Sequence, residues 1–443
     1  MPNTEEPEHI FTTIVKNSVQ LLTSMKRYYW VAILLFLAVF FEVRAQSHWI
    51  YTEDKAGASI IYIVCGLLVG IMPLIKLPYR PQSSFFTPIH LKPYIVLVKL
   101  VIWGVFVFFA IQACLKIFSK YEIDYYQADM LPVIEIMSSR FLAGEEVYAF
   151  IPEIWNGMEP VYLPTMWLPF VPSVAWNFDM RWTTLAFILG GCLLVSLHPT
   201  RSKWKEQSIE SLLAFVPLAL LFFDDLFRRA VVMGLSEEGV VFGFHLLLVF
   251  ALIWRRTVPL AIALSCCVLS RYVIVIWATM YIMHLFFAKR SKLALQVMAI
   301  GIGLSTFLMW MTGAFSQLAI FVGLQGEYVD LLEVKRWDYE EQINKALGLA
   351  KFFAYEDLII MHRWFLFTAF VVPFLCLGIV QVFKKWINMS FFALCSLKIT
   401  LVFFYNLLII PYEYLFYTST FVSIGIMFYY LNPQLHPKTE SVS

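Results

Sequence analysis

The chain has 443 residues, of which 60% are hydrophobic and only 14% are charged. An ordinary soluble domain has about 25% charged residues, so most of this chain must face lipid or other apolar helices. Its 33 basic and 31 acidic side chains nearly balance, which argues against a nucleic-acid partner, because such a partner needs a strongly basic face. Composition therefore predicts a membrane protein with no nucleic-acid partner.

Twelve apolar segments approach the length of roughly 20 residues that a helix needs to cross a bilayer. In chain order they lie near residues 28–43, 58–75, 94–118, 182–197, 209–223, 239–253, 258–270, 272–287, 294–313, 364–383, 391–408 and 414–431. The seventh and eighth segments are the shortest pair, and a short helical hairpin is the alternative to two full spans. We predict one all-α integral-membrane domain over residues 1–443, with about twelve spans.

Basic residues indicate which side of the membrane each loop occupies, because they remain in the cytoplasm in short loops. With the N-terminus inside, 17 Lys and Arg fall in about 84 cytoplasmic residues and 13 in about 139 external ones. This prediction places both termini in the cytoplasm of a multi-pass protein of the plasma (inner) membrane. It leaves two long external segments, at about 119–181 and 316–363.

The first external segment, residues 119–181, begins with acids close to the end of an apolar helix. Glu122, Asp124 and Asp129 follow within a few helical turns of the bilayer surface, where partial desolvation makes a carboxylate a better proton acceptor. Apolar residues then recur at helical spacing from residue 131 to 142, and Gly144 is the expected C-cap of an amphipathic helix along the membrane. The apolar stretch 165–176 is predicted to be a second external, interfacial helix, and the single crossing after it is 182–197.

Several motifs resemble those of the polyprenol-dependent GT-C fold glycosyltransferases of family 87. In the external segment these are an acid followed by Tyr125-Tyr126 at the exit of a membrane helix, an amphipathic helix that ends in Ala143-Gly144, and Tyr162-Leu163-Pro164 before a Pro-rich apolar helix. The sequence Ser270-Arg271-Tyr272, which interrupts a helical hairpin, is similar to a second segment of that family. Three helices precede the external segment here, whereas family members often have one.

The resemblance implies a membrane hexosyltransferase that moves a sugar, of the mannose type, from a polyprenyl-phosphate donor to a lipid or glycan acceptor on the extracytoplasmic face. It implies inversion at the anomeric carbon and no cofactor beyond the lipid-linked donor, and it leaves the need for a divalent ion open. Asp124, in the motif Glu122-Ile123-Asp124, is the first candidate for the base, with Glu122 and Asp129 as further candidates. The candidates for binding the substrates are Tyr125, Tyr126, Tyr162, Arg228, Arg229, Arg271 and Tyr272.

Other interpretations of the same residues remain open. Asp124 could cap the following helix, and Arg228 and Arg229 could form a salt-bridged loop with the preceding Asp224 and Asp225. Lys398, in the middle of an apolar segment, could line a cavity, extend to the interface or form a structural ion pair. The alternative function is a transporter or flippase of a lipid-linked saccharide, although the internal repeats common in transporters are not evident. No metal-ligand pattern appears, and the oligomeric state is not predicted.

Overall fold

The computed structural model describes residues 27–46, 55–76, 92–154, 157–197, 229–271, 273–318, 347–353, 357–406 and 414–431, with isolated residues between 212 and 227. Every regular element within these ranges is a helix, and the β contacts there are two isolated bridges, between Ile75 and Ile387 and between Ile151 and Met158. The predicted all-α fold class is confirmed for the described chain.

Eleven of the twelve predicted apolar segments coincide with helices, and the fifth, 209–223, lies mostly outside the described residues. The helices are α1 (Arg27–Gln46), α2 (Lys55–Ile71), α3 (Lys92–Phe118), α4 (Met130–Ala143), α5 (Pro164–Trp167), α6 (Val171–Ala175), α7 (Arg181–Leu197), α8 (Ala230–Met233), α9 (Glu238–Trp254), α10 (Thr257–Val268), α11 (Val273–Phe287), α12 (Ser291–Met311), α13 (Leu358–Val382), α14 (Phe392–Asn406) and α15 (Leu415–Leu431). Short 3₁₀ turns follow α2, α5 and α12.

Four described helices, α1, α2 with its 3₁₀ extension, α3 and α12, are long and apolar enough to cross a membrane. These helices indicate an integral membrane protein, but a bundle of twelve full spans is not confirmed. Helices α10 and α11 have 12 and 15 residues, which correspond to about 18 and 22 Å at 1.5 Å per residue. Both are shorter than a bilayer core of about 30 Å, so the geometry favours the short hairpin over two full spans.

Two pairs of glycines spaced four residues apart allow helices to approach closely. Gly66 and Gly70 place α2 directly against side chains of α14, and Gly239 and Gly243 place α9 against α7. A Cβ atom added at Gly239 would lie 2.8 Å from the carbonyl oxygen of Thr184. Such close contact through small residues is a main source of helix association in membranes. Helix α9, buried along almost its whole length, also packs against α10 and α15 and forms the centre of the bundle.

This contact predicts opposite effects for two matched glycine substitutions. We expect Gly239→Ala to lower the free energy of unfolding by about 1–3 kcal/mol, because the added methyl group meets a backbone carbonyl that cannot move alone. We expect Gly303→Ala, in α12 where nothing lies within 4 Å of an added Cβ, to leave stability unchanged or raise it by up to about 1 kcal/mol. Thermal unfolding in detergent measures both changes in stability. Equal increases in the two variants would show that helix propensity, and not the close contact at Gly239, determines the effect of an added methyl group.

A buried ion pair joins the first two helices to the last two. Lys398 of α14 pairs with Glu42 of α1, and its Nζ also donates to Ser419 Oγ of α15 at 2.7 Å. Ser423 Oγ donates to the second oxygen of Glu42 at 2.7 Å, and the ammonium lies 5.9 Å from the ring centre of Tyr62 of α2. Lys398 therefore forms a structural pair. The first two helices, which the family resemblance leaves without a role, hold the C-terminal helices together.

Candidate functional site

Arg181 joins the two ends of the predicted external segment, residues 119–181. Its guanidinium donates to the carbonyl of Tyr121 at 2.6 Å and pairs with Asp179 at 2.5 Å. The same group lies 4.5 Å from the ring centre of Phe118, at the end of α3. The beginning and end of the segment are thus fixed at one point, on the predicted external end of the bundle.

The predicted amphipathic helix of this segment is confirmed as α4. It ends where Gly144 adopts a left-handed conformation, with φ of 73°, and donates its N–H to the carbonyls of Arg140 and Phe141. Residues Leu131 and Ile134 are fully buried, so this face packs against protein. The guanidinium of Arg140, in the last turn of α4, donates to the carbonyl of Phe150 in the following loop at 3.0 Å.

The prediction of one continuous helix over 165–176 is wrong. The chain instead makes α5, a 3₁₀ turn at Leu168–Phe170 and α6, because Pro169 and Pro172 lack the N–H groups that a continuous helix requires. Trp167 and Phe170 are fully buried, so these two side chains contact protein rather than the membrane surface.

This broken helix docks on the hairpin formed by α10 and α11. Thr165 Oγ1 donates to the carbonyl of Cys266 at 2.8 Å. Arg271 lies at the turn of the hairpin, and its Nη1 is 3.6 Å from the sulfur of Met166. Within the segment, the hydroxyl of Tyr148 donates to the carbonyl of Tyr162 at 3.0 Å. The external segment and the interrupted hairpin, the two parts that carry the family resemblance, are therefore in direct contact.

Arg271 forms ion pairs with two neighbouring acids at the start of α9. Its Nη2 lies 3.3 Å from Oε1 of Glu237, and it also contacts the carboxylate of Glu238. The side chains of Glu237 and Glu238 are 1% and 0% exposed, and that of Arg271 is 15% exposed. Burying these charges is costly unless they are paired, so Arg271 and the two acids depend on one another.

Asp129 and Tyr162 interact electrostatically with this group, and these two residues together with Glu237, Glu238 and Arg271 are called the acid–arginine cluster. Burial raises the pKa of Glu237 above its usual range, and the nearby charge of Asp129 acts in the same direction. Burial also raises the pKa of Tyr162 well above its ordinary value, and Glu237 and Asp129 contribute to this shift. The cluster contains three carboxyl groups and one guanidinium, and Oε2 of Glu237 has no hydrogen-bond partner among the described residues.

Asp124 lies in a local turn instead of this cluster. Its Oδ1 accepts a hydrogen bond from the N–H of Tyr126 at 3.2 Å, and the rings of Tyr125 and Tyr126 lie 4.2 Å apart. Tyr126 is 72% exposed, and Glu122 is also exposed. Of the predicted site residues, Asp129, Tyr162 and Arg271 therefore belong to the acid–arginine cluster, whereas Asp124 and Tyr126 form this turn.

Of the remaining predicted site residues, Arg229 is half-buried at the start of α8, whose C-terminal Gly234 contacts Ile117 near the end of α3. This places Arg229 at the same end of the bundle as the cluster. Arg228 and Tyr272 lie outside the described residues.

Glu237 and Glu238 are not among the site residues predicted from the sequence. The signal for them was two adjacent acids directly before the apolar segment at 239, on the side of the membrane predicted for Arg271. Acids are common at this position, because they interact favourably with the positive end of the helix dipole. The sequence therefore does not distinguish Glu237 and Glu238 from acids that only stabilise the start of a helix.

Comparison with protein-family models, with curated proteins and with solved structures found no match to this chain. Within the described residues, no group of three or more His, Cys, Asp or Glu side chains is arranged to hold a metal ion. A function can therefore be inferred only from the acid–arginine cluster and from the motifs in the external segment.

Proposed function

We propose that this protein is a membrane glycosyltransferase that transfers a hexose, of the mannose type, from a polyprenyl-phosphate donor to a hydroxyl group of a lipid or glycan acceptor on the extracytoplasmic face of the plasma membrane. The observation that supports this proposal is the acid–arginine cluster, which forms where the external segment contacts the α10–α11 turn. Ionisable groups buried at such a place are costly and are usually functional.

In the proposed reaction, Asp129 is the general base. An inverting transfer needs a carboxylate that takes the proton of the acceptor hydroxyl while its oxygen attacks the anomeric carbon and the bond to the phosphate breaks. The electron pair of that bond leaves with the polyprenyl phosphate. Asp129 is half-buried, so an acceptor can reach it, whereas Glu237 and Glu238 are buried and already paired with Arg271.

Arg271 is proposed to act as a positioning residue that holds the two glutamates beside the base. Because its charge is already paired with two carboxylates, it is a weaker candidate for binding the departing phosphate than the sequence indicated. We assign the phosphate contact to Arg229, at the same end of the bundle, together with the neighbouring Arg228 of the sequence prediction. Hydrogen bonds from such cations are worth most where charge develops in the transition state.

The proposal is tested by reconstituting the purified protein into proteoliposomes with radiolabelled polyprenyl-phosphate mannose or glucose and a mixture of lipid and glycan acceptors. We expect a labelled product and an equal amount of free polyprenyl phosphate, released on the face that carries the external segment. Movement of the intact donor between leaflets without cleavage would instead identify the transporter or flippase. No conversion of either donor with any acceptor would contradict the transferase proposal.

A further inference from the structure

A second polar site lies at the opposite end of the bundle from the acid–arginine cluster. It is a cavity of about 420 Å³ between the C-terminal end of α9, the start of α12 and the segment before α14, and its volume is within the range of ligand pockets, roughly 300–1,000 Å³. Glu238 begins α9 and Arg255 follows its last residue, so the two sites are separated by a 17-residue helix, about 25 Å long.

Three cationic side chains line this basic cavity, namely Arg255, Arg290 and Lys384. Arg255 and Arg290 both interact electrostatically with Tyr281, and Arg290 and Lys384 both interact with His284, so their charges converge on one space. Its lining contains no carboxylate, and no ion pair involving these three cations is found among the described residues. Arg255 is half-buried and Arg290 and Lys384 are exposed, and three positive charges around one cavity create a potential that favours an anion there.

Uncharged features of the cavity also fit an anion. His284 is 8% exposed, and its Nδ1 has no hydrogen-bond partner among the described residues. Helices α12 and α14 begin beside the cavity, at Ser291 and shortly after the lining residue Ser390, and the first turn of a helix favours negative charge. Helix α12 has 21 residues and α14 has 15.

Apolar side chains form the rest of the lining. Leu252, Leu260, Leu285, Phe287 and Leu293 are among them, and Phe287 is 56% exposed. The side count predicts this end of the bundle to be cytoplasmic, where basic pockets between membrane helices bind the phosphate groups of anionic lipids. The lining thus combines contacts for a phosphate with contacts for an acyl chain.

We infer that the basic cavity is a binding site for a phosphate-bearing anion, held by Arg255, Arg290 and Lys384. This site is separate from the proposed sugar-transfer site and does not depend on it. A phospholipid headgroup and a soluble phosphate share this chemistry, and they can be distinguished by the lipid dependence of binding.

The test compares two triple variants with the same loss of charge. Arg255→Gln/Arg290→Gln/Lys384→Gln removes the cavity cations. Arg256→Gln/Lys289→Gln/Lys385→Gln removes the cations next to them in the chain, which do not line the cavity. The melting temperature of each full-length protein is measured in detergent with added phosphatidylglycerol, phosphatidylcholine, inorganic phosphate, or chloride at matched ionic strength. Native mass spectrometry measures the lipid that remains bound.

We expect phosphatidylglycerol to raise the melting temperature of the wild type and of the control triple variant by roughly 3–5 °C, with no rise in the cavity variant. A rise with inorganic phosphate but no further rise with phosphatidylglycerol would identify a soluble phosphate as the ligand. Equal responses of the wild type and the cavity variant would overturn the proposal. If the triple variant does not fold, the single variant Lys384→Gln, at an exposed side chain, must weaken lipid retention relative to Lys385→Gln; equal retention also overturns it.

Discussion

We expect Lys398→Met to lower the free energy of unfolding by about 3–5 kcal/mol, because it leaves the buried carboxylate of Glu42 without a cation. Both side chains of this pair are 0% exposed, so water cannot take the place of the ammonium group. The pair also orients hydroxyl groups of α15, since Ser423 donates to Glu42 and Ser419 accepts from Lys398. Denaturant titration in detergent micelles measures the loss.

Two further variants distinguish an unpaired charge from lost packing. The double variant Glu42→Leu/Lys398→Met removes both charges, and we expect it to recover most of the lost stability, because a buried ion pair can often be replaced by apolar residues at little cost. Lys116→Met removes an exposed lysine of α3 and is the matched control. If Lys398→Met loses no more stability than Lys116→Met, the buried pair does not hold the first helices to the last.

Most of the helical organisation could be predicted from hydropathy, because an apolar run of sufficient length must form a helix in a membrane. The exact form of the chain between Pro164 and Ala175 could not be predicted as well. Its apolar composition predicted one continuous helix despite Pro169 and Pro172, and the burial of Trp167 and Phe170 depends on contacts with distant parts of the chain. Likewise, Lys398 was visible as an unusual residue, whereas its partner Glu42 is 356 residues away.

The candidate site was only partly predictable for the same reason. Arg271 stood out because a charge in a short apolar hairpin is costly, and Asp129 and Tyr162 were among the candidates. The sequence favoured Asp124 over Asp129 as the base because Asp124 lies in the motif Glu122-Ile123-Asp124. A motif shows which residues are adjacent in the chain, but not which residues are close in the fold. It could not show that Asp124 accepts a hydrogen bond from Tyr126 in a local turn, or that Asp129 is near enough to the buried Glu237 to interact with it electrostatically.

We expect Asp129→Asn to lower the rate of sugar transfer in proteoliposomes by about 10²–10⁴-fold, the range for loss of a general base. The asparagine amide has the same shape as the carboxylate but cannot take the acceptor's proton. Asp129 occupies the N-cap position of α4 without a side-chain capping hydrogen bond, so the substitution should not weaken that helix. An unchanged melting temperature would show that the lost activity does not result from unfolding.

Two other substitutions test whether the loss is specific to Asp129. Glu135→Gln changes an exposed acid of the same helix, and we expect it to retain activity. Asp124→Asn tests the base that the sequence motif favoured, and we expect a loss of no more than a few-fold because Asp124 lies in the turn. A large loss with Asp124→Asn and near-full activity with Asp129→Asn would return the role of base to Asp124. Activity in both variants would show that neither carboxylate takes the proton, and the cluster would then need a different role.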